Sequence, residues 1–258
     1  MRRALRAVPA MILVLALIGI WELYVDLKGS TFSLALLPSP HQVAKSLYTD
    51  RSLLWSSFLV TAREVLLGIL VAVVIGAVLS VGIHFSSTLR RATYPLIVAS
   101  QAVPVVVFAP LLAFWLGFGI LPKLVVVAVV SFFSIVVTAT AGLDAVDPDL
   151  IKLMRTFDAP RLTTFRHVEM PSALPSVFSG AKIAVAVSVI GAVFAEYTGS
   201  NSGLGYVILV SEPQLLVARA FAATVILSLF AIALFALLAL AERLALPWAY
   251  GPRGERTA

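Results

Sequence analysis

The chain contains no cysteine. A disulfide framework, a thiolate metal site and a cysteine nucleophile are therefore excluded. Charge is scarce as well: Asp, Glu, Lys and Arg make up 12% of the residues, against about 25% in ordinary soluble domains. Histidine occurs three times, at His41, His84 and His167, always at or beyond the end of an apolar stretch. The motifs of several enzyme classes are missing too: no G-x-x-x-x-G-K-[ST] phosphate loop, no H-E-x-x-H, no G-x-S-x-G and no carboxylate pair within an apolar run. The one glycine-rich stretch, "GSNSGLG" at 199–205, has no following lysine and reads as a turn. These absences speak against a phosphate-loop nucleotide hydrolase and against an intramembrane enzyme.

What the sequence has in excess is apolar surface. Hydrophobic residues make up 60% of the chain and the mean hydropathy is +1.03. A soluble fold of 258 residues cannot bury that much, so the expectation is an all-α integral membrane protein with lipid as a partner. The net charge of +6 reads as basic loops on one membrane face rather than as a nucleic-acid surface.

Six segments reach the roughly 20 apolar residues that a bilayer core requires. They lie at 8–25, 62–83, 95–116, 121–143, 176–196 and 220–241, with the third broken by Pro104 and Pro110. "MRRALR" before the first resembles a signal-peptide start, but no small-x-small cleavage site follows, and the segment reads as a retained span. With the N-terminus inside, the loops on that side (1–7, 84–92, 144–172 and 242–258) carry 12 Lys and Arg, and the outer loops carry 5. This asymmetry predicts six transmembrane helices with both termini cytoplasmic. Arg63 and Glu64 then open the second span at the interface, and Lys182 snorkels from the fifth. In the outer segment, "LLPSPHQVAKSL" predicts a short surface helix starting at Pro40, with Val43, Ala44 and Leu47 on one side.

The middle of all six spans lacks ionisable groups, which disfavours a proton-coupled secondary transporter. Polar or helix-breaking residues inside the spans are the candidates for a pathway: Gln101 and Pro104 in the third, Ser131 in the fourth, Ser188 in the fifth. A lone serine also serves helix packing or a local backbone bond. Glu196, ending the fifth span at the outer interface, is a candidate gate residue or a solvated helix end.

The loop between the fourth and fifth segments is unlike the rest. "DPDLIKLMRTFDAPRLTTFRHVEMPSALP", residues 147–175, is charged yet helically patterned. Asp147 suits an N-cap and Pro148 the first helical position. Leu150, Leu153, Met154 and Phe157 recur at helical spacing, with Lys152, Arg155 and Thr156 between them. Pro160 disfavours a helical residue before it, so Asp158–Pro160 breaks the helix. A second short helix follows, with Leu162, Phe165 and Val168 on one face, ended by Pro171 and Pro175. An amphipathic helix of this kind fits a cleft of a cytoplasmic partner, helix-in-groove fashion. The same unit could instead rest on lipid headgroups.

This loop resembles the cytoplasmic loop of permease subunits of bacterial ATP-binding-cassette importers. Their signature runs Glu-Ala-Ala, three residues, Gly, nine residues, Ile, one residue, Leu-Pro. Here Lys152-Leu153-Met154, Asp158, Val168 and Met170-Pro171 hold those positions. Lys152 replaces the acidic residue and Asp158 the glycine; Asp tolerates the left-handed conformation better than most residues. Residues 170–208 and 100–119 are similar to the fifth and third spans of permeases for nitrate, sulfonates and taurine, and within that group to permeases for the pyrimidine precursor of thiamine or for riboflavin. The resemblance implies one membrane domain (1–258, core about 58–245). Loop 144–172 then carries a coupling helix, with Leu150, Lys152, Leu153, Met154, Arg155, Phe157, Asp158 and Arg161 meeting the ATPase. It also implies cytoplasmic ATPase subunits that bind ATP and Mg, an extracytoplasmic binding protein, a second permease copy and a multi-pass location in the bacterial cytoplasmic membrane. No cofactor is expected on this chain.

Overall fold

In lipid, a backbone donor or acceptor without a partner is costly, and helices satisfy theirs internally. Every regular element among the described residues is accordingly helical. The computed structural model describes residues 2–28 and 37–249, with side chains at residue 9, at 12–27 and at 37–249. Residues 29–36 of the predicted outer segment and 250–258 of the predicted inner one lie outside the described residues, as do the side chains of Arg2, Arg3 and Arg6. The helices are α1 Arg2–Lys28, α2 Pro40–Thr49, α3 Arg51–Phe85, α4 Ser87–Ser100, α5 Val105–Leu116, α6 Ile120–Asp144, α7 Pro148–Thr156, α8 Arg161–Thr164, α9 Met170–Tyr197, α10 Leu204–Ser211 and α11 Val217–Ala245. Four are long and apolar enough to cross a membrane: α3, α6, α11 and the continuous helix Arg161–Tyr197 that contains α8 and α9. A fifth crossing results if α4 and α5, bent by 103°, count as one span.

The chain divides into two units, residues 1–61 with 201–228 and residues 62–200 with 229–258. In the first, α1 turns Val25 inward and exposes Ile12 through Ile20. Ser39 caps α2 by a reciprocal pair of bonds with Gln42, and Pro40 stands at the first turn as expected. Val43 and Ser46 are buried, whereas Ala44 faces out. The His41 N–H donates to Glu22 on α1, and the Leu204 N–H at the start of α10 donates to Thr61 at 2.8 Å. The stretch "LGYVILVS" forms the buried helix α10, too short to span a bilayer and unmarked in the hydropathy pattern.

The second unit is built around α6, where Val126, Val127, Ile135 and Val136 are at most 1% exposed. Ala72, Ala128, Ile135 and Ala184 join α3, α6 and α9; Ala109, Leu112, Val126 and Ala195 join α5, α6 and α9; Ile83, Ile97 and Val136 join α3, α4 and α6. Small residues let the backbones approach, as in other membrane helix pairs. At Gly180 a Cβ would overlap the Thr138 hydroxyl, and at Gly142 it would stand 2.6 Å from Ser176 Cβ.

Three element boundaries differ from the sequence expectation. The helix predicted at 62–83 begins at Arg51 and runs 35 residues, about 52 Å at 1.5 Å per residue. In the predicted third span only Pro104 makes a break. It caps α5, its carbonyl accepting from the Val107 and Phe108 N–H groups, while Pro110 is accommodated inside α5. Finally, Pro171 and Pro175 do not end the second loop helix. A π-helical turn over Phe165–Glu169 precedes them, in which the Met170 N–H bonds the Phe165 carbonyl five residues back. The widened turn makes room for a proline ring that would clash in a regular α-helix, and the helix continues to Tyr197.

Candidate functional site

The 147–160 stretch forms a capped, amphipathic helix with its apolar stripe uncovered. Asp147 Oδ1 accepts from the Asp149 N–H at 2.9 Å, and Pro148 occupies the first turn. Leu150, Leu153 and Phe157 are 43, 52 and 73% exposed, and Met154 is half-buried. Lys152 and Arg155 are exposed; Lys152 pairs with Asp149 along the same helix at 2.8 Å. The helix closes on Asp158 at φ +51°, a left-handed residue where glycine is the usual occupant. The Asp158 N–H bonds the Arg155 carbonyl and the Ala159 N–H the Met154 carbonyl, the two-bond Schellman closure. Arg161 follows, exposed, with its guanidinium 4.8 Å from the Phe85 ring centroid.

At this loop end of the second unit lie two ion pairs and one histidine–carboxylate hydrogen bond. His84 Nε2 meets Glu169 Oε2 at 2.7 Å, Arg90 meets Asp144 through two bonds of 3.0 and 2.5 Å, and Lys182 meets Glu242 at 2.6 Å. Lys182 therefore finds an internal counter-ion, with Phe235 beside it, instead of snorkelling.

The far end of the same unit holds a charge cluster that the sequence reading did not assemble. Glu64 is buried within the protein; Lys123 Nζ donates to Glu64 Oε1 at 2.6 Å and to Ser200 Oγ at 2.7 Å. Arg63 beside it is exposed. Glu196 is fully buried, within hydrogen-bonding reach of the Glu64 carboxyl, which excludes the solvated helix end. Lys123 thus links α3, α6 and the turn after α9.

Of the other pathway candidates, Gln101 and Pro104 sit together at the α4–α5 break and line a cavity of about 320 Å³ with Ser100, Phe108 and valines of α5 and α6. Gln101 is exposed there. Ser131 and Ser188 are fully buried: the Ser131 hydroxyl faces the Ala184 carbonyl of α9 at 3.5 Å, and that of Ser188 bonds the Val185 carbonyl of its own helix. Among the described residues no group of three or more acidic or histidine side chains could hold a metal.

In the first unit, Asp50 at the end of α2 accepts from Arg219 at 2.7 Å and from Ser46 at 2.8 Å. The Arg219 bond holds the Asp50 carboxyl below its ordinary pKa, against the opposing effect of burial.

Residues 64–245 match the model of the family described as binding-protein-dependent transport system inner membrane component. The formylaminopyrimidine transport permease protein ThiX of Halalkalibacterium halodurans is 34% identical, over 96% of this chain and 98% of its own. The riboflavin transport system permease protein RibX of Chloroflexus aurantiacus is 32% identical, over 90% of this chain and 87% of its own. Among solved structures, an inward-facing MetNI methionine ABC transporter chain aligns with TM-score 0.60 and 19% identity, over 77% of this chain and 97% of that one.

Proposed function

The chain belongs to the family of binding-protein-dependent transport system inner membrane components, and from that premise we propose that it forms the pathway of an importer for a small heterocycle of the thiamine-pyrimidine or riboflavin type. It is a multi-pass protein of the cytoplasmic membrane and the permease subunit of an ABC importer. The observation that carries the mechanism is the capped helix α7, whose Leu150, Leu153 and Phe157 are exposed on a short helix closed by Asp158.

In this reading α7 is the coupling helix. Leu150, Leu153, Met154 and Phe157 enter a groove of the ATPase, while Lys152, Arg155 and Arg161 meet its rim and Asp158 sets the closing turn. ATP and Mg stay on that partner. The basic-residue asymmetry supports a cytoplasmic loop end and six crossings, with α1 as the first. A second copy of the chain completes the pathway, and a binding protein delivers the substrate at the far end.

The cavity at the α4–α5 break suits a flat, partly polar ligand. The Gln101 amide offers both a donor and an acceptor, and Phe108 with the valines offers apolar walls. Glu196, with Glu64 and Lys123, stands at the end where a gate would close. Two near-full-length relatives that carry pyrimidine and riboflavin transport in their names support the substrate class. The test is reconstitution with the ATPase and binding protein in liposomes. Formylaminopyrimidine or riboflavin should stimulate ATP hydrolysis several-fold and taurine should not; stimulation by taurine alone would overturn the substrate class.

A further inference from the structure

The loop that carries α7 and α8 is attached to the membrane helices in two different ways. Toward α9 the attachment is covalent and helical: α8, the π turn and α9 are one 37-residue helix, so any displacement of α8 passes straight into α9. Toward α3 no such continuity exists, and side chains make the connection.

That connection is dense. Glu169, the last residue of the π turn, places Oε2 at 2.7 Å from His84 Nε2, one residue before the end of α3, with the two side chains only 10 and 16% exposed. Phe165, the first residue of the same turn, packs its ring 5.0 Å from Phe85, edge to face, and 5.7 Å from the His84 ring. Arg161, at the start of α8, lays its guanidinium over the opposing Phe85 at 4.8 Å. Three positions of the loop spaced four residues apart, 161, 165 and 169, therefore grip two residues of α3. Exposed cation–π and aromatic contacts alone are soft. A 2.7 Å hydrogen bond largely shielded from water inside that aromatic bracket is not, because either partner left alone would be a mostly buried, unsatisfied polar group. π turns within α-helices recur at functional sites, and here the turn supplies both Phe165 and Glu169.

We infer that His84 and Glu169 are a positioning pair, a second transmission joint that makes the end of α3 move with the coupling loop. Loop displacement then reaches two membrane helices, α9 through its backbone and α3 through this pair. The inference rests on α7 being the ATPase-docking helix.

Because the chain has no cysteine, paired labels are clean to introduce. Spin labels at V81C on α3 and T156C on α7 report the joint in the complete transporter with its ATPase and binding protein, compared nucleotide-free and trapped with ATP and vanadate. With the native pair, the interlabel distance is expected to be the same in both states. In Glu169→Gln and His84→Gln it should shift or broaden on trapping, and stimulation of ATP hydrolysis by the formylaminopyrimidine-loaded binding protein should fall several-fold. His84→Lys, which restores a nitrogen donor opposite Glu169, should recover the native distances. The inference is overturned if the native pair itself changes distance on trapping, if both Gln variants keep native distances, or if His84→Lys behaves as His84→Gln. A purely structural pair would lower the melting temperature without making the distance nucleotide-dependent. Failure of the docking assignment reads out separately: Phe157→Asp would then co-purify with the ATPase as the native chain does.

Discussion

Lys123 and Glu64, 59 residues apart in sequence, meet at 2.6 Å at the end of the second unit away from the loop. Glu196 is within hydrogen-bonding reach of the same Glu64, and Ser200 takes a second bond from Lys123. The Lys123 ammonium is thus the counter-ion of the buried Glu64. Lys123→Met would leave Glu64 without its counter-ion, and losing one partner of a buried pair costs about 3–5 kcal/mol. A markedly lower melting temperature in detergent is expected for Lys123→Met, with partial recovery in Lys123→Met/Glu64→Leu. Equal melting of native and Lys123→Met protein would contradict the cluster.

The Asp158 turn allows a prediction of opposite sign. A non-glycine residue in the left-handed region costs roughly 1–2 kcal/mol relative to glycine, somewhat less for Asp. Asp158→Gly should therefore stabilise the loop by up to about 1 kcal/mol and leave transport intact. Asp158→Val, β-branched at φ +51°, should destabilise it and slow uptake. Melting curves together with initial uptake rates check both.

For the docking stripe, Phe157→Ala and Met154→Asp should uncouple ATP hydrolysis from uptake while the protein still inserts in the membrane. Uptake per ATP should fall at least several-fold, measured in the same liposomes. Normal uptake in both variants would remove α7 from the docking role.

At the α4–α5 break, Gln101→Ala should weaken recognition inside the membrane subunit. One lost hydrogen bond corresponds to about 1 kcal/mol, or a five-fold change in the substrate concentration needed for half-maximal transport. Unchanged uptake kinetics in Gln101→Ala and in Glu196→Ala would exclude both from the pathway and gate.

Asp50 carries a pH dependence. Its folded pKa lies below the unfolded value because Arg219 donates to the carboxylate. The stabilisation from this pair is therefore present above about pH 4 and is lost as pH falls through the lower, folded value. Between pH 7 and pH 3 the native chain should lose more stability than Asp50→Asn, which lacks the titrating group. Parallel melting-temperature profiles for the two would count against it.

Local chemistry was readable where it acts locally. Asp147 and Pro148 mark the start of α7, Asp158 its left-handed closure and Pro104 the break in the third apolar segment, because caps, turns and prolines act within a few residues. The continuity through Pro171 was not readable, since it depends on a π turn that leaves no hydrophobic signature. Nor were the pairs Glu64–Lys123, Lys182–Glu242 and His84–Glu169, whose partners lie 59, 60 and 85 residues apart. One signal did point toward them. An ionisable side chain inside an apolar segment needs a partner, and Lys182 has no acidic residue within ten positions of it in sequence.

The π turn also leaves a mark on chain length. A regular α-helix advances about 100° per residue, so removing a residue from the middle of α9 would swing everything beyond it around the axis and turn Gly180 away from Thr138. Removing one from Phe165–Glu169 would instead relax the wide turn to an ordinary one and keep the rest of α9 in phase, at the cost of the room the turn gives the Pro171 ring. Along this helix, the turn is the place where the chain can be one residue shorter and still present the same face to α6.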